Sequence, residues 1–271
     1  MNLNLTGETK LHFIVGDPIA QVKSPAGITR MFAERGHDGI VVPVQVGVGD
    51  LGDFLSVADR LKNLESIIVT VPHKFACRKH CATTTERADF LGVVNNMRRN
   101  PDGTWHGDML DGVGFVAGVR AKEFEPNGCR ALLVGAGGAG SAMALSLLDA
   151  GVSELAIHDA DPVRRDNLID RLTTVSKVLV IIGSADPTGF DFVANATPAG
   201  MQPGDASPID VNKLSSSTFV GCVITVPAVS PLIDAARRVG CGTSTGTDMF
   251  QASLSMMVDF LLHTEDRKSV V

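Results

Sequence analysis

The 271-residue chain contains no tyrosine, one tryptophan and twelve phenylalanines, so aromatic residues are scarce. Binding to nucleic acid by base stacking needs exposed aromatics interleaved with basic residues, a pattern absent here. Acidic residues outnumber basic ones by 30 to 24, a net charge of −6, which also speaks against a polyanionic partner. No apolar run reaches the ~20 residues of a membrane span, and the opening MNLNLTGE is too polar for an export signal. The expectation is a cytoplasmic protein, monomer or homodimer, with a small-molecule substrate and neither nucleic acid nor membrane as partner. The five cysteines, Cys77, Cys81, Cys129, Cys222 and Cys241, are odd in number and form no CxxC pair, so neither a disulfide framework nor a zinc ribbon is expected. Cys77, Cys81 and His80 offer three soft ligands without a fourth, and no metal site is read from them. Glycine is the residue in excess, 28 in all against a typical ~7%, and where the glycines fall carries the information.

The chain alternates strand-like and helix-like segments. Leu11–Val15, Ile40–Val46 and Ile67–Val71 are short apolar strands, separated by a helix from Ser24 to about Arg35 and another over Asp50–Leu61. Ser24-Pro25 supplies an N-cap followed by proline in the first turn. This β-α-β-α-β order predicts an open parallel sheet. Arg98–His106 contains Pro-Asp-Gly and predicts a hairpin or a domain edge. A linking helix follows over Leu110–Phe124. Alternation then restarts with strands at Arg130–Val134, Glu154–His158, Lys177–Ile182, Phe192–Ala194 and Thr218–Ile224, a helix over Ser141–Ala150, and a terminal helix over Asp248–His263. The expected fold is a two-lobed α/β protein. Its N-terminal open α/β substrate-binding domain is 1–105, completed by 246–271, and its Rossmann-type doubly wound dinucleotide-binding domain is 106–245, including the linking helix.

Gly135-Ala136-Gly137-Gly138-Ala139-Gly140 satisfies G-x-G-x-x-G, follows a strand, opens a helix and sits in a βαβ unit. The first glycine allows a tight turn, the second lets backbone N–H groups approach a pyrophosphate, and the third permits close helix–strand packing. The helix N-terminus adds partial positive charge for the phosphates. At the end of the next strand Asp159 lies 24 residues after Gly135, near the ~20 expected of an acid that binds the adenosine ribose. That favours NAD over NADP, although Arg164 and Arg165 stand close enough in sequence to receive a 2′-phosphate. Asp161, before Pro162, reads equally well as a ribose contact or as the N-cap of the next helix.

Six segments in order carry a resemblance. Gly16-Asp17-Pro18-Ile19-Ala20-Gln21-Val22-Lys23-Ser24-Pro25 resembles the G-x-P-I/V-x-H-S-x-S-P signature of the shikimate dehydrogenase family. Val69-Thr70-Val71-Pro72-His73-Lys74 resembles V-T-x-P-x-K, Gly92-Val93-Val94-Asn95-Asn96 resembles G-A-V-N-T, and the stretch from Gly107 to Phe115 resembles G-x-N-T-D-G-x-G-F. The glycine loop, and Asn195-Ala196-Thr197-Pro198-Ala199-Gly200-Met201, resemble the family's G-A-G-G-A and N-A-T-P-x-G-M. The resemblance implies that Lys74 is the catalytic lysine and Asp111 its partner carboxylate. It also places Ser24, Thr70 and Asn95 on the substrate, and Thr197, Pro198, Gly200 and Met201 on the cofactor; Gln251, in a segment that only partly matches the family's G-x-x-M-L-x-x-Q, is read as a further substrate contact. Oxidising a secondary alcohol needs a group to take the hydroxyl proton, and a lysine beside a carboxylate can do so.

The departures define a divergent member. Gln21-Val22 stands where the family has His-Ser, Ile68 replaces an Asn, Met109-Leu110 replaces Asn-Thr, and Thr225 replaces a Tyr. Gln251 falls two positions before the family's glutamine, where this chain has Ser253. The Asn-Arg-Thr of NADP-linked members becomes Asp159-Ala160-Asp161. Lost polar partners leave hydroxyls of shikimate unpaired, at about 1–3 kcal/mol each. The reading is therefore a hydride-transferring oxidoreductase, NAD favoured, acting on a ring-hydroxylated carboxylic acid such as shikimate or quinate. Three alternatives stand beside it: a strict NADP-dependent biosynthetic shikimate dehydrogenase, a methylenetetrahydrofolate dehydrogenase of similar plan, and a non-catalytic metabolite-sensing module on the same fold.

Overall fold

The computed structural model describes residues 5–263. The first four residues, and residues 264–271 of the terminal segment, lie outside the described residues. Two compact units result, Met1–Leu110 with Leu254–Val271, and Asp111–Ser253.

The first unit runs β1 (Lys10–Gly16), α1 (Ser24–Glu34), β2 (Gly39–Gln45), α2 (Leu51–Ala58), β3 (Leu64–Val69), α3 (Lys74–His80), β4 (Thr83–Thr84), α4 (Glu86–Leu91), β5 (Asn96–Arg99) and β6 (Trp105–Asp108). Sheet order is β2-β1-β3-β5-β6-β4. β1 lies parallel to β2 and β3, as the alternation predicts. β5, however, is antiparallel to both β3 and β6, so the sheet is mixed rather than parallel. The β5–β6 direction is set by the Pro101-Asp102-Gly103 turn: Asn100 N donates to Thr104 O and the Asp102 carboxylate accepts from Thr104 N, closing a hairpin too short to join parallel strands. Ser24 is not the cap of α1. It is the first helical residue and is buried, while Lys23 occupies the cap position without a side-chain hydrogen bond.

One buried titratable group gives this sheet an acid sensitivity. His12 on β1 is wholly buried, and burial, followed by the neighbouring charge of His37, pushes its pKa from 6.5 down to about 3. The unfolded chain takes up that proton near 6.5. Stability tied to the neutral ring is therefore complete above that pH and drains away as pH falls from about 6.5 towards 3. His12→Gln is expected to flatten the dependence of Tm on pH across this window. An unchanged slope in the variant would place the acid sensitivity elsewhere.

The second unit runs α5 (Asp111–Arg120), β7 (Arg130–Val134), α6 (Gly138–Asp149), β8 (Glu154–His158), α7 (Pro162–Thr173), β9 (Leu179–Ile182), β10 (Phe192–Asn195), β11 (Phe219–Cys222), α8 (Pro231–Val239), β12 (Thr243–Ser244) and the first half of α9 (Gly246–Leu261), whose residues from Leu254 on belong to the first unit. Its strands pair in parallel in the order β12-β11-β10-β7-β8-β9. This is the doubly wound arrangement, in which order reverses between the first and fourth strands, here β7 and β10. β7 and β10 are near-continuous apolar runs because helices cover both faces of such a sheet; Ala131, Leu132, Leu133, Phe192, Val193 and Ala194 are fully buried. α5 packs closely on its neighbours through glycine. A Cβ on Gly112 would sit 2.0 Å from Ala142 O of α6, and one on Gly114 would sit 1.9 Å from Ser253 Oγ of α9.

Candidate active site

In the first unit the candidate residues gather where β1 and β3 end. A Cβ on Gly16, closing β1, would lie 2.4 Å from Thr70 Cγ2, so glycine there lets the chain after β3 come alongside. Thr70 N donates to Val15 O, Asp17 N to Val71 O, and Val69 N to Asn95 O. These bonds bring Thr70 and Asn95 to the same strand ends. Lys74 opens α3 and is half-buried; its carbonyl accepts from Val94 N. The turn before it is anchored by His73, a buried residue whose Nε2–H donates to Val46 O at 2.7 Å. Asn95 is buried, and its Oδ1 accepts from Leu110 N at 2.9 Å and from Asn96 Nδ2 at 2.6 Å. Just before Leu110, the buried Asp108 carboxylate accepts from Arg87 Nε at 2.7 Å, Thr85 Oγ1 at 2.5 Å and Met109 N at 2.7 Å. His73 and Asp108 were missed by motif reading because both fall at positions the signatures leave open. Cys77 and Cys81, on and just after α3, are buried, and burial pushes both thiols up to about 12, so neither offers a thiolate near neutral pH. His80 bonds Asp59 at 3.0 Å rather than turning to the thiols.

In the second unit Asp111 is the first residue of α5 and is half-buried. Gln251 lies exposed on α9. Ser253, at the position of the family's glutamine, is buried with its hydroxyl donated to Met249 O, so it packs on Gly114 and serves its own helix.

The glycine loop joins β7 to α6 at the reversal of strand order. Gly135 has φ +102, a conformation open to glycine. A Cβ on Gly140 would stand 1.9 Å from Gly135 O, whereas one on Gly137 would meet nothing within 4 Å. α6 begins at Gly138, three residues before the sequence expectation, because the close approach of Gly140 to Gly135 O holds the loop in helical register. No side chain caps α6, so Gly138, Ala139 and Gly140 present first-turn amides for an acceptor to satisfy. Beside the loop, Thr197 Cγ2 would lie 2.9 Å from a Cβ on Gly135, which brings the Asn195–Met201 segment against it. Asn195, fully buried, accepts from Thr197 N at 3.0 Å and Thr197 Oγ1 at 2.7 Å, and Asp205 accepts from Gly200 N and Gln202 N at 2.9 Å. Those two amides hold the Asp205 carboxyl below its usual range. Pro198 is exposed, and Met201 packs on the core of the unit.

Asp159 is turned into this loop. Its side chain is 8% exposed, with Oδ2 accepting from Ala136 N at 2.7 Å and Oδ1 from Asp161 N at 2.8 Å. Asp161 caps α7 by accepting from Val163 N and Arg164 N. Arg164 is exposed and lies 3.7 Å from Asp159 Oδ2 and 3.4 Å from Asp161 Oδ2.

A doubly wound parallel sheet with a capless, glycine-built helix start at its switch point defines a dinucleotide-binding fold, here in a chain with a second α/β unit. The Shikimate dehydrogenase substrate binding domain family matches residues 14–97, and the ThiF family matches 127–176, the β7–α6–β8–α7 stretch. Over 250 residues the chain is 34% identical to a shikimate dehydrogenase (NADP(+)) of Rubrobacter xylanophilus, covering 89% of this chain and 87% of that one. Two similar solved structures are a quinate dehydrogenase from Corynebacterium glutamicum in complex with NAD (27% identity, TM-score 0.83, 93% of each chain) and the ligand-free 5-ketofructose reductase of a Gluconobacter species (26%, 0.82, 94% of this chain and 93% of that one). The chain belongs to the shikimate dehydrogenase family. No helix among the described residues is long and apolar enough to cross a membrane.

Proposed function

We propose that this chain is a nicotinamide-dependent oxidoreductase of the shikimate/quinate dehydrogenase type, acting on a secondary alcohol of a ring-hydroxylated carboxylic acid such as shikimate or quinate. The observation that carries the reading is the glycine loop, with the Asn195–Met201 segment against it, on the two strands that flank the switch point of the parallel sheet. The loop fits a dinucleotide: open space at Gly137 leaves room for a pyrophosphate, and the uncapped amides of Gly138–Gly140 supply donors. When bound, a nicotinamide supplies hydride transfer. Lys74 takes the hydroxyl proton as the alcohol is oxidised and returns one to the carbonyl oxygen in the reverse direction, with Asp111 as its partner carboxylate. Thr70 and Asn95 orient the substrate hydroxyls, and Ser24 supplies the remaining hydroxyl for the carboxylate. Gln251 serves the substrate from α9.

NAD is the cofactor this chain favours, in contrast to the NADP(+)-named relative. A 2′-phosphate would meet the Asp159 carboxylate, and Arg164, which would otherwise receive it, is already placed between Asp159 and Asp161. Asp159→Ser, above all combined with Ala160→Arg, is expected to shift the NADP/NAD ratio of kcat/KM by about tenfold or more, equivalent to about 1.4 kcal/mol. An unchanged ratio contradicts this preference.

A second reading is favoured by Val22, which stands where the family has a hydroxyl for the substrate carboxylate: a neutral polyhydroxylated ketone would not need that contact, and one of the similar structures is a 5-ketofructose reductase. Steady-state kinetics with shikimate, quinate and neutral polyols separates the two. A larger kcat/KM for the acids supports the first reading, and a larger one for the neutral compounds supports the second.

A further inference from the structure

We infer that His12, His37 and Glu65 form a binding site for a divalent transition-metal ion of the zinc class, in the first unit and built by residues that serve neither the glycine loop nor Lys74. His12 lies on β1, His37 on the turn between α1 and β2, and Glu65 on β3. Their nearest ligand atoms form a triangle: His12 Nε2 to His37 Nε2 2.9 Å, His37 Nε2 to Glu65 Oε2 3.6 Å, and His12 Nε2 to Glu65 Oε2 4.0 Å. The point equidistant from the three atoms is about 2.1 Å from each, within the ~2.0–2.2 Å of zinc–nitrogen and zinc–carboxylate bonds. Two histidines and one carboxylate leave a fourth position for water. His37 and Glu65, with side chains 20% and 36% exposed, give that position access to solvent.

Four features point to a built site rather than a chance cluster. First, β1 and β3 shift register between Leu11 and His12, so that Leu11 pairs with Leu64 and His12 with Ser66, leaving Glu65 as the extra residue. Such a bulge re-aims a side chain, here onto the histidines. Second, His12 Nδ1 is 2.6 Å from Ser66 Oγ. A proton on Nδ1, donated to that hydroxyl, leaves the Nε2 lone pair directed at the triangle, the arrangement by which an outer partner orients a metal-bound histidine. Third, the fully buried Phe32 packs on both rings, with centroids 4.3 Å from His12 and 5.0 Å from His37, and forms an apolar wall. Fourth, a Cβ on residue 39 would come within 2.6 Å of the His37 ring and 2.9 Å of His12 Nε2, so glycine there keeps the space open. Lys10 Nζ, 3.8 Å from Glu65 Oε1, approaches the other carboxylate oxygen and leaves Oε2 for the ion. The alternative occupant of the triangle is a single proton shared between the two imidazoles. That needs no third group, whereas here a carboxylate is brought to the pair by an irregularity of the strand.

The test is a titration of the full-length, chelator-stripped protein with Zn(II) at neutral pH, in competition with a chromophoric chelator. One equivalent should bind per chain and raise Tm, since a ligand that binds only the folded state stabilises it. Ser66→Ala should weaken binding by about 10–100-fold, and His37→Ala and Glu65→Gln by at least as much. Both ligand variants alter partly exposed side chains, and far-UV circular dichroism of the metal-free forms checks their folding, so failure of one to fold leaves the other as the test. Co(II) in place of Zn(II) should show nitrogen/oxygen ligation without a thiolate charge-transfer band. Absence of stoichiometric binding, wild-type affinity in the folded ligand variants, or a thiolate band from the cysteines would each overturn the site.

Discussion

Lys74→Ala is expected to lower kcat by about 10²–10⁴-fold, the usual contribution of a positioned acid or base, while leaving the dissociation constant for the dinucleotide unchanged. The separation follows from chain placement. Lys74 opens α3 in the first unit, whereas the glycine loop belongs to the second, so with the roles proposed above truncating the lysine should remove proton transfer and leave the loop's amides unaltered. Lys74 is half-buried and at a helix start, so little packing is lost and Tm should move little. Lys74→Arg should not restore turnover, because guanidinium does not give up its proton in proteins. Stopped-flow and steady-state kinetics across pH, paired with a fluorescence titration of reduced cofactor, read both quantities. Wild-type turnover in Lys74→Ala removes the lysine from the reaction, and parallel loss of cofactor binding makes its role structural.

A pair of glycine substitutions has the next largest expected effects, and they differ in kind. Gly140→Ala places a methyl group 1.9 Å from the backbone oxygen of Gly135, so the loop or the start of α6 must shift. Overpacking of this sort costs about 1–3 kcal/mol, and it should show both as a lower Tm and as weaker dinucleotide binding. Gly137→Ala adds its methyl to open space, at a φ of −73 that alanine adopts without strain. Its Tm should equal that of the wild type. Its affinity for the dinucleotide should still fall, by about tenfold or more, because the space is kept for backbone approach to the pyrophosphate. Calorimetric binding together with thermal melts distinguishes the two. Full affinity in Gly137→Ala would mean that the pyrophosphate does not pass over this glycine.

The second unit was the more readable part of the chain, for a physical reason. Its strands are buried on both faces and appear as apolar runs, and its loop needs glycine at fixed spacing, so composition and spacing carry the architecture. The start of α6 was placed too late because Gly138-Ala139-Gly140 looks like loop, and only the contact of Gly140 with Gly135 O makes it helix. In the first unit the antiparallel β5–β6 pair was visible as a turn but not as a change of sheet direction, since strand direction depends on pairing rather than on local sequence. Gly112 illustrates another limit. It falls inside the same signature as Asp111, yet its lack of a side chain serves the contact of α5 with α6. His73 and Asp108, each buried with partners remote in sequence, carry no local signal. The triangle of His12, His37 and Glu65 is equally silent, because it depends on a register shift between β1 and β3.

The most direct measurement is to follow nicotinamide absorbance as the purified protein meets shikimate, quinate and neutral polyols, each with NAD and with NADP, alongside Lys74→Ala. Reduced cofactor should accumulate with at least one of the two acids, faster with NAD than with NADP, and the lysine variant should be nearly silent. A folded protein that binds the dinucleotide yet reduces it with neither acid would not be a dehydrogenase of these acids.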